Sequence, residues 1–295
     1  MTNPIESMSE AMSAAVGGAA ASVVQVAAGC RRSASGTVWS DTQIVTTHRE
    51  LPHEDEVHVA LADGTTKKAK VLGRDAASDL ALLEVDGGLS VPRYADTDAV
   101  KVGQLALALG RPGKSIRASL RLIGVVAADV PTEGGGVLRR YVETDRGIPP
   151  GFAGGPLLDA SGVVLGIQSA GLVRGADLIV PTETIREVAA ELAAHGRVRA
   201  GFLGVSVQPV RLPKPAQAAV GRGRGALVLG VADGSAAEEA GVHLGDVIVE
   251  LEGDAIGSGR SLARALRGRF GRELKLKVWR TGSLIELGVT PGERS

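Results

Sequence analysis

His48 ends the apolar run "QIVTTH", Asp79 opens "SDLALLEV", and the stretch "PPGFAGGPLLD" sets glycines at 151, 154 and 155 around position 153. An imidazole at a strand end can take a proton. A carboxylate behind it can orient the ring and balance its charge, and a tight glycine turn can aim backbone N–H groups at a developing oxyanion. Here the glycines let the N–H groups of Gly151 and residue 153 converge. The nucleophile itself is missing: position 153 is Ala153, where a serine would complete the order His, Asp, Ser. Singly, each signal has a plainer reading. A histidine after a strand is more often a surface or packing residue, Asp79 can cap a turn, and "GGPL" can be an ordinary turn. Their order and their common place at strand ends join them. Reading His48, His53 and His58 as metal ligands fails on spacing, because five-residue steps suit neither a helix face nor one side of a strand.

The elements that must hold these residues are short. "SVVQVAA", "GTVWS", "EVHVALADG", "KAKVLGRD", "QLALALG", "RLIGVV", "RRYVETD" and "DLIVP" recur with Gly, Asp and Pro between them, the pattern of an all-β sandwich or barrel. "LLDASGVVLGI" reads as a hairpin turning at Asp159 to Gly162. "PTETIREVAAELAAHG" reads as a helix with Thr182 as its cap, Ile185, Val188, Ala189 and Leu192 on one face, and Gly196 as its end. Beyond it, strands around two short helices in "GFLGVSVQPV" and the residues that follow make a small α/β module. The expected organisation is a flexible tail at 1–19, a first domain at 20–195, a linker at 196–201 and a second domain at 202–292.

Composition bounds the rest. The chain has 295 residues, 44% hydrophobic but only 2% aromatic, so its cores are aliphatic. Basic and acidic residues balance at 33 each, which gives no electrostatic reason to expect nucleic acid or an anionic membrane as partner; "GRGRG" (221–225) is too short for an RNA-binding tail. Cys30 is the only cysteine, so neither an internal disulfide nor a cysteine metal cluster can form, and no metal or cofactor is expected. The N-terminal stretch lacks the basic start and Leu-rich core of a signal peptide, and its alanines and glycines are too weakly apolar to span a bilayer. As written, the chain reads as cytoplasmic; the alternative is an extracytoplasmic protein whose export segment lies outside this sequence.

With these residues in place, a resemblance follows. "GTVWSDTQIVTTH", "SDLALLEV", "ETDRGIPPGFAGGPLLDASGVVLGI" and "DLIVPTETIREVAAEL" resemble the histidine, aspartate, serine and closing-helix blocks of the HtrA (Deg) family, trypsin-like serine proteases followed by PDZ domains. The resemblance spans roughly Val23 to Leu192 and implies a mainly β fold, two six-stranded barrels of the chymotrypsin type with the site between them. It implies His48 as general base, Asp79 as orienting acid, Ala153 at the nucleophile position, and Gly151 with residue 153 as oxyanion donors. It also implies Ile148 as an apolar wall of the primary specificity pocket, with Gly171 and Leu172 in the stretch "IQSAGL" beside it. No Asp lies in "RGIPPG" or "IQSAGL", so cleavage after small or medium aliphatic residues is expected.

The second module resembles a PDZ domain. Phe202, Leu203, Gly204 and Val205 match the loop that receives a peptide's terminal carboxylate, the next strand can pair with the peptide, and the helix near Ser261 to Arg267 forms the far wall. The partners implied are unfolded polypeptides in the cleft, C-terminal peptides at the PDZ groove, and further copies in a homo-oligomer. The aromatic residues on which the family's trimers rest have no counterpart before Trp39. With Ala153, the chain reads as an HtrA-like endopeptidase disarmed by an engineered Ser-to-Ala change. The rival is a natural pseudoprotease that binds peptides through cleft and groove as a chaperone-like scaffold.

Overall fold

The computed structural model describes residues 3–28, 32–131, 137–173 and 176–293. Cys30 and part of the stretch "ADVPTEGGGVL" lie outside them. The chain divides into two compact units, Met1–Arg197 and Val198–Ser295.

In the first unit the short apolar runs close on themselves twice. Strands β1 (Val23–Ala28), β2 (Arg32–Val38), β3 (Gln43–Thr47), β4 (Glu56–Ala60), β5 (Thr66–Asp75) and β6 (Leu80–Glu84) form a closed barrel in the order β1-β2-β3-β6-β5-β4. Strands β7 (Leu105–Gly110), β8 (Arg117–Pro131), β9 (Val137–Thr144), β10 (Pro156–Asp159), β11 (Val164–Val173) and β12 (Ala176–Pro181) form the second, β10-β11-β12-β9-β8-β7. Closure removes unpaired edges, so β3 and β6 can be buried along most of their length without risk of edge pairing. The first core packs Val24, Val26, Ile44, Val59 and Leu83; the second packs Ala108, Ile123, Val142, Phe152 and Leu157. The β10–β11 hairpin turns where the sequence places it, with the Asp159 side chain accepting from the N–H groups of Ser161 (2.8 Å) and Val163 (2.9 Å).

Residues 1–19, expected as a flexible tail, are helical over Pro4–Ala19 (α1). Asn3 caps the helix, and Met12, Ala15 and Val16 pack on Val23, Leu107, Leu109, Leu158 and Val164. The sequence hid this because the face is built from alanine and isolated larger residues, a weak apolar stripe that only a complementary barrel surface makes into a core. The next helix, α2 (Thr182–His195), buries the expected face, Ile185, Val188, Ala189 and Leu192. Its N-cap is Pro181 rather than Thr182, and it ends at Gly196 in the left-handed region (φ 70°). It follows the second barrel yet lies against the first: a Cβ at Gly73 on β5 would overlap the Gly196 carbonyl. No described helix is long and apolar enough to cross a membrane.

The second unit begins with an Ala200–Arg267 bridge and β13 (Gly201–Phe202), paired with the last strand, so residues expected in the linker already belong to this fold. Then follow β14 (Val205–Arg211), α3 (Lys214–Val220), β15 (Arg224–Val231), α4 (Ala236–Glu239), β16 (Val247–Leu251), β17 (Asp254–Ala255), α5 (Gly259–Ala265), β18 (Leu274–Arg280), β19 (Ser283–Val289) and β20 (Gly292–Glu293). The main sheet runs β14-β15-β16-β18-β19, which leaves β14 at an edge. Asp246, 1% exposed, is held by Arg280 through two hydrogen bonds of 2.7 and 2.8 Å.

If α1 is seated as described, replacing Met12 and Val16 together by Asp should destabilise the first unit by about 2 kcal/mol, the scale of exposing two partly buried aliphatic side chains. Calorimetry should show that loss in the first unit's transition alone; an unchanged transition would mean that the helix contributes no packing.

Candidate active site

The turn Asp75–Ser78 fixes the entry to β6. The Asp75 carboxylate accepts the Ser78 N–H (3.0 Å) and hydroxyl (2.5 Å), and Asp79 then takes a left-handed conformation (φ 55°). That backbone costs a non-glycine residue some strain, and Asp is among the residues that tolerate it best. It brings Asp79 against the end of β3. The Asp79 carbonyl accepts the His48 N–H (3.0 Å), and its carboxylate accepts the Arg49 N–H (3.0 Å) and the Ser169 hydroxyl (2.6 Å). Asp79 is 1% exposed. Burial pushes its carboxyl above the ordinary range; the Ser169 hydroxyl, the Arg49 amide and the charges of Arg49 and His48 pull against that shift without overcoming it. The imidazole of His48 is half-buried, and its Nδ1 is buried with no hydrogen-bond partner among the described residues. In this arrangement, histidine and aspartate meet through the backbone and through charge.

The glycine turn is held from the first barrel by Ser35, which is fully buried in β2. The Ser35 N–H donates to the Ala153 carbonyl (2.9 Å) and its hydroxyl to the Gly151 carbonyl (2.7 Å). Glycine is required twice by contact: a Cβ at Gly154 would overlap the Ser35 carbonyl, and one at Gly155 the Leu109 carbonyl. Phe152 N–H donates to Pro149 O (3.0 Å), Gly154 N–H to Gln168 O (2.8 Å) and Gly155 N–H to Phe152 O (2.8 Å). The N–H groups of Gly151 and Ala153 donate to no described residue. The turn thus leaves unengaged the two amides that the sequence singled out as oxyanion donors.

The structure brings His48, Asp79 and Ser169 together by direct contacts, and Gly151 and Ala153 by way of Ser35. Sequence reasoning missed Ser35 and Ser169; each is a strand hydroxyl that needs a partner once buried, but nothing local marks that partner. The pocket residues fall differently. Ile148 packs against the second barrel's core, Leu172 is fully buried, and Gly171 (φ 80°) lies under the Arg49 guanidinium. A carboxylate does reach "RGIPPG", from outside the two stretches: Asp177 accepts the Ile148 N–H (2.8 Å). It shares its face of β12 with Ile179, in the barrel core, opposite Ala176 and Leu178.

In the second unit, Gly204 (φ 79°) has no room for a Cβ beside Ser235. The carbonyls of Leu203 and Gly204 accept from Ala237 (2.9 Å) and Ala232 (2.8 Å), whereas the N–H groups of Leu203 and Gly204 donate to no described residue. Phe202 is exposed, and Val205 starts the edge strand β14. The first turn of α5, closed by the reciprocal caps of Ser258 and Ser261, stands beside Val207, so an open strand edge faces a helix.

The pKa of Asp79 gives a stability test. A folded-state pKa raised above 3.8 means that the folded protein holds the proton more tightly, so stability falls as pH rises from about that value through the raised one. Asp79→Asn removes the cost. Its thermal midpoint should therefore exceed that of the unchanged chain at pH 7, with the gap closing towards pH 4. A less stable variant at pH 7 would mean that Ser169, Arg49 and His48 outweigh the burial.

Both units have counterparts among known proteins. The trypsin-like peptidase domain family matches residues 34–167, and the PDZ domain family matches residues 201–290. A probable periplasmic serine endoprotease, DegP-like, from Ectopseudomonas mendocina is 33% identical over 263 residues, covering 86% of this chain and 55% of its own length. One of the same description from Halomonas elongata is 34% identical over 275 residues, covering 89% and 57%. The chain spans about half the length of the curated relatives it matches. Among solved structures, the HtrA-type protease AlgW with a tripeptide superposes with a TM-score of 0.75 at 28% identity, over 96% of this chain and 97% of that one. A serine endoprotease from Yersinia pestis gives 0.70 at 25%, over 95% and 97%. By its motifs, its paired six-stranded barrels and these likenesses, the chain belongs to the HtrA-type trypsin-like serine peptidases that carry a PDZ domain.

Proposed function

We propose that this chain is the disarmed form of an endopeptidase that hydrolyses unfolded polypeptides, with His48 as general base, Asp79 as its orienting acid, and the amides of Gly151 and residue 153 as oxyanion donors. The observation that carries this reading is the turn itself: its carbonyls are tied down while those two amides stay unengaged. A serine at 153 would pass its proton to His48 as its oxygen attacks the substrate carbonyl, and the two amides would receive the charge that develops on that carbonyl oxygen. Asp79 would stabilise the imidazolium from its buried position. Losing a triad nucleophile costs on the order of a millionfold in turnover, so the chain with Ala153 is inert.

The pseudoprotease reading is favoured by one observation, Ala153 itself. Against it stands the retention of the whole surrounding device, from the Gly154 and Gly155 contacts to the Ser169–Asp79 bond. For selectivity, the apolar Ile148 and the lack of an Asp in "RGIPPG" and "IQSAGL" support aliphatic residues at the cleaved position; Asp177, bonded to the Ile148 N–H, is the competing influence. The relatives from Ectopseudomonas mendocina and Halomonas elongata are described as periplasmic, which favours the extracytoplasmic alternative for this chain.

Ala153→Ser decides between the two readings. The variant should degrade casein, and its peptide-library profile should be led by small and medium aliphatic residues; a folded but inert variant would support the pseudoprotease instead. A profile led by Arg or Lys would put Asp177 in the pocket.

We assign the groove between β14 and α5 to peptide C-termini, with the terminal carboxylate on the free amides of Leu203 and Gly204 and the peptide added as a strand to β14. A peptide ending in an apolar residue should bind as the free acid and lose at least tenfold in affinity as its C-terminal amide, measured by calorimetry. Equal affinities would exclude carboxylate capture.

A further inference from the structure

Arg111 directly follows β7 and is 4% exposed, yet no carboxylate among the described residues is hydrogen-bonded or ion-paired to it. Backbone carbonyls hold its guanidinium instead: Nε donates to Val23 O (2.6 Å), Nη2 to Ala20 O (2.9 Å) and Nη1 to Lys114 O (2.8 Å). Ala20 caps the C-terminus of α1, where the helix dipole favours a cation. A buried guanidinium without these acceptors would be costly, so its place depends on the segment Ala20–Val23 being in place. Its backbone N–H, meanwhile, donates to the Ser35 hydroxyl oxygen (2.7 Å).

A hydroxyl has one proton to give. With the Arg111 N–H on its oxygen, the Ser35 proton goes to the Gly151 carbonyl. Peptide planes are rigid, so each carbonyl that is tied fixes the next N–H. The Gly151–Phe152 plane is held at both ends, by Ser35 and by Pro149 O; the Ala153–Gly154 plane likewise, by Ser35 N–H and Gln168 O. The plane between them is held at the Phe152 carbonyl by Gly155 N–H, and its free end is the Ala153 amide.

We propose that Arg111 is a positioning residue that couples the docked N-terminal helix to the oxyanion-forming turn, by way of Ser35. The proposal rests on reading that turn as a hydrolase site. Helix α1 also packs on Leu107 and Leu109, the strand that leads into Arg111, so undocking it disturbs both ends of the linkage. A cavity of about 450 Å³ opens beside the helix, lined by Ala11, Ala14 and Gly18 and by Val91, Arg93 and Ser161. The N-terminal segment is therefore a handle on the turn as well as a covering for the barrel.

The test uses the full chain in two backgrounds. In the Ala153→Ser background, Arg111→Met keeps the bulk and removes the donors. It should lower kcat at least tenfold at a temperature where the protein stays folded, with KM changed less than about threefold. Deleting residues 1–19 should do the same, and the two changes together should add little to either. In the unmodified chain, the NMR amide signals of Gly151 and Ala153 should shift or broaden in Arg111→Met while those of the second unit stay fixed. Should Arg111→Met not fold, Arg111→Lys serves for the same readouts, because one ammonium cannot span three separated carbonyls. A variant with a lowered melting temperature but unchanged kcat and unmoved amides would overturn the proposal. If the Ala153→Ser form cleaves nothing, the hydrolase reading fails on that result, and the NMR comparison still decides the coupling.

Discussion

Ser35 lies on a strand of the first barrel, but its amide and hydroxyl are both committed to carbonyls of the turn Gly151–Ala153, which belongs to the second. Those two bonds are the hinge of the site. His48 and Asp79 come from the first barrel, Ala153 and Ser169 from the second, and the proposed chemistry needs a fixed relation between the two groups. The neighbouring contacts reinforce the same seam. Thr37 Oγ1 donates to Gly154 O (2.9 Å), Thr46 Oγ1 to Ser35 O (2.8 Å), and Gly154 approaches too closely for any side chain. A seam built from buried hydroxyls and backbone carbonyls leaves few polar groups unpaired, and it resists change because each loss would strand a partner in the dry interior.

The arrangement sets stability against chemistry at Asp79. A carboxylate 1% exposed is expensive, and the direction of its pKa says that burial outweighs every favourable partner it has. Packing alone would not select such a residue. Its presence beside His48, in a left-handed backbone, is the pattern expected where a proton must be moved and strain is tolerated for it.

Much of this was legible in the sequence because it is local. The runs of β3 and β6, the Asp159 turn, the buried face of α2 and the glycine frame each declare themselves within a few residues. What stayed hidden is relational. Helix α1 is apolar only against the particular barrel surface of Leu107, Leu109 and Leu158, so its own pattern reads as a tail. Ser35 and Arg111 look like a strand serine and a loop cation until sheet pairing sets them beside residues more than thirty positions away (|i−j| 116 for Ser35–Gly151 and 88 for Arg111–Val23). Asp177 escaped the pocket stretches for the same reason, since β12 delivers it across the barrel to Ile148.

The central proposal is that position 153 is a nucleophile's place, ready to be served by His48 as base and by the amides of Gly151 and residue 153. Reaction of the Ala153→Ser form with a fluorophosphonate measures that readiness independently of any substrate's sequence. The account predicts stoichiometric phosphonylation at position 153, seen by mass spectrometry and abolished when His48→Ala is added. No adduct in the folded protein, or an adduct indifferent to His48, would contradict it.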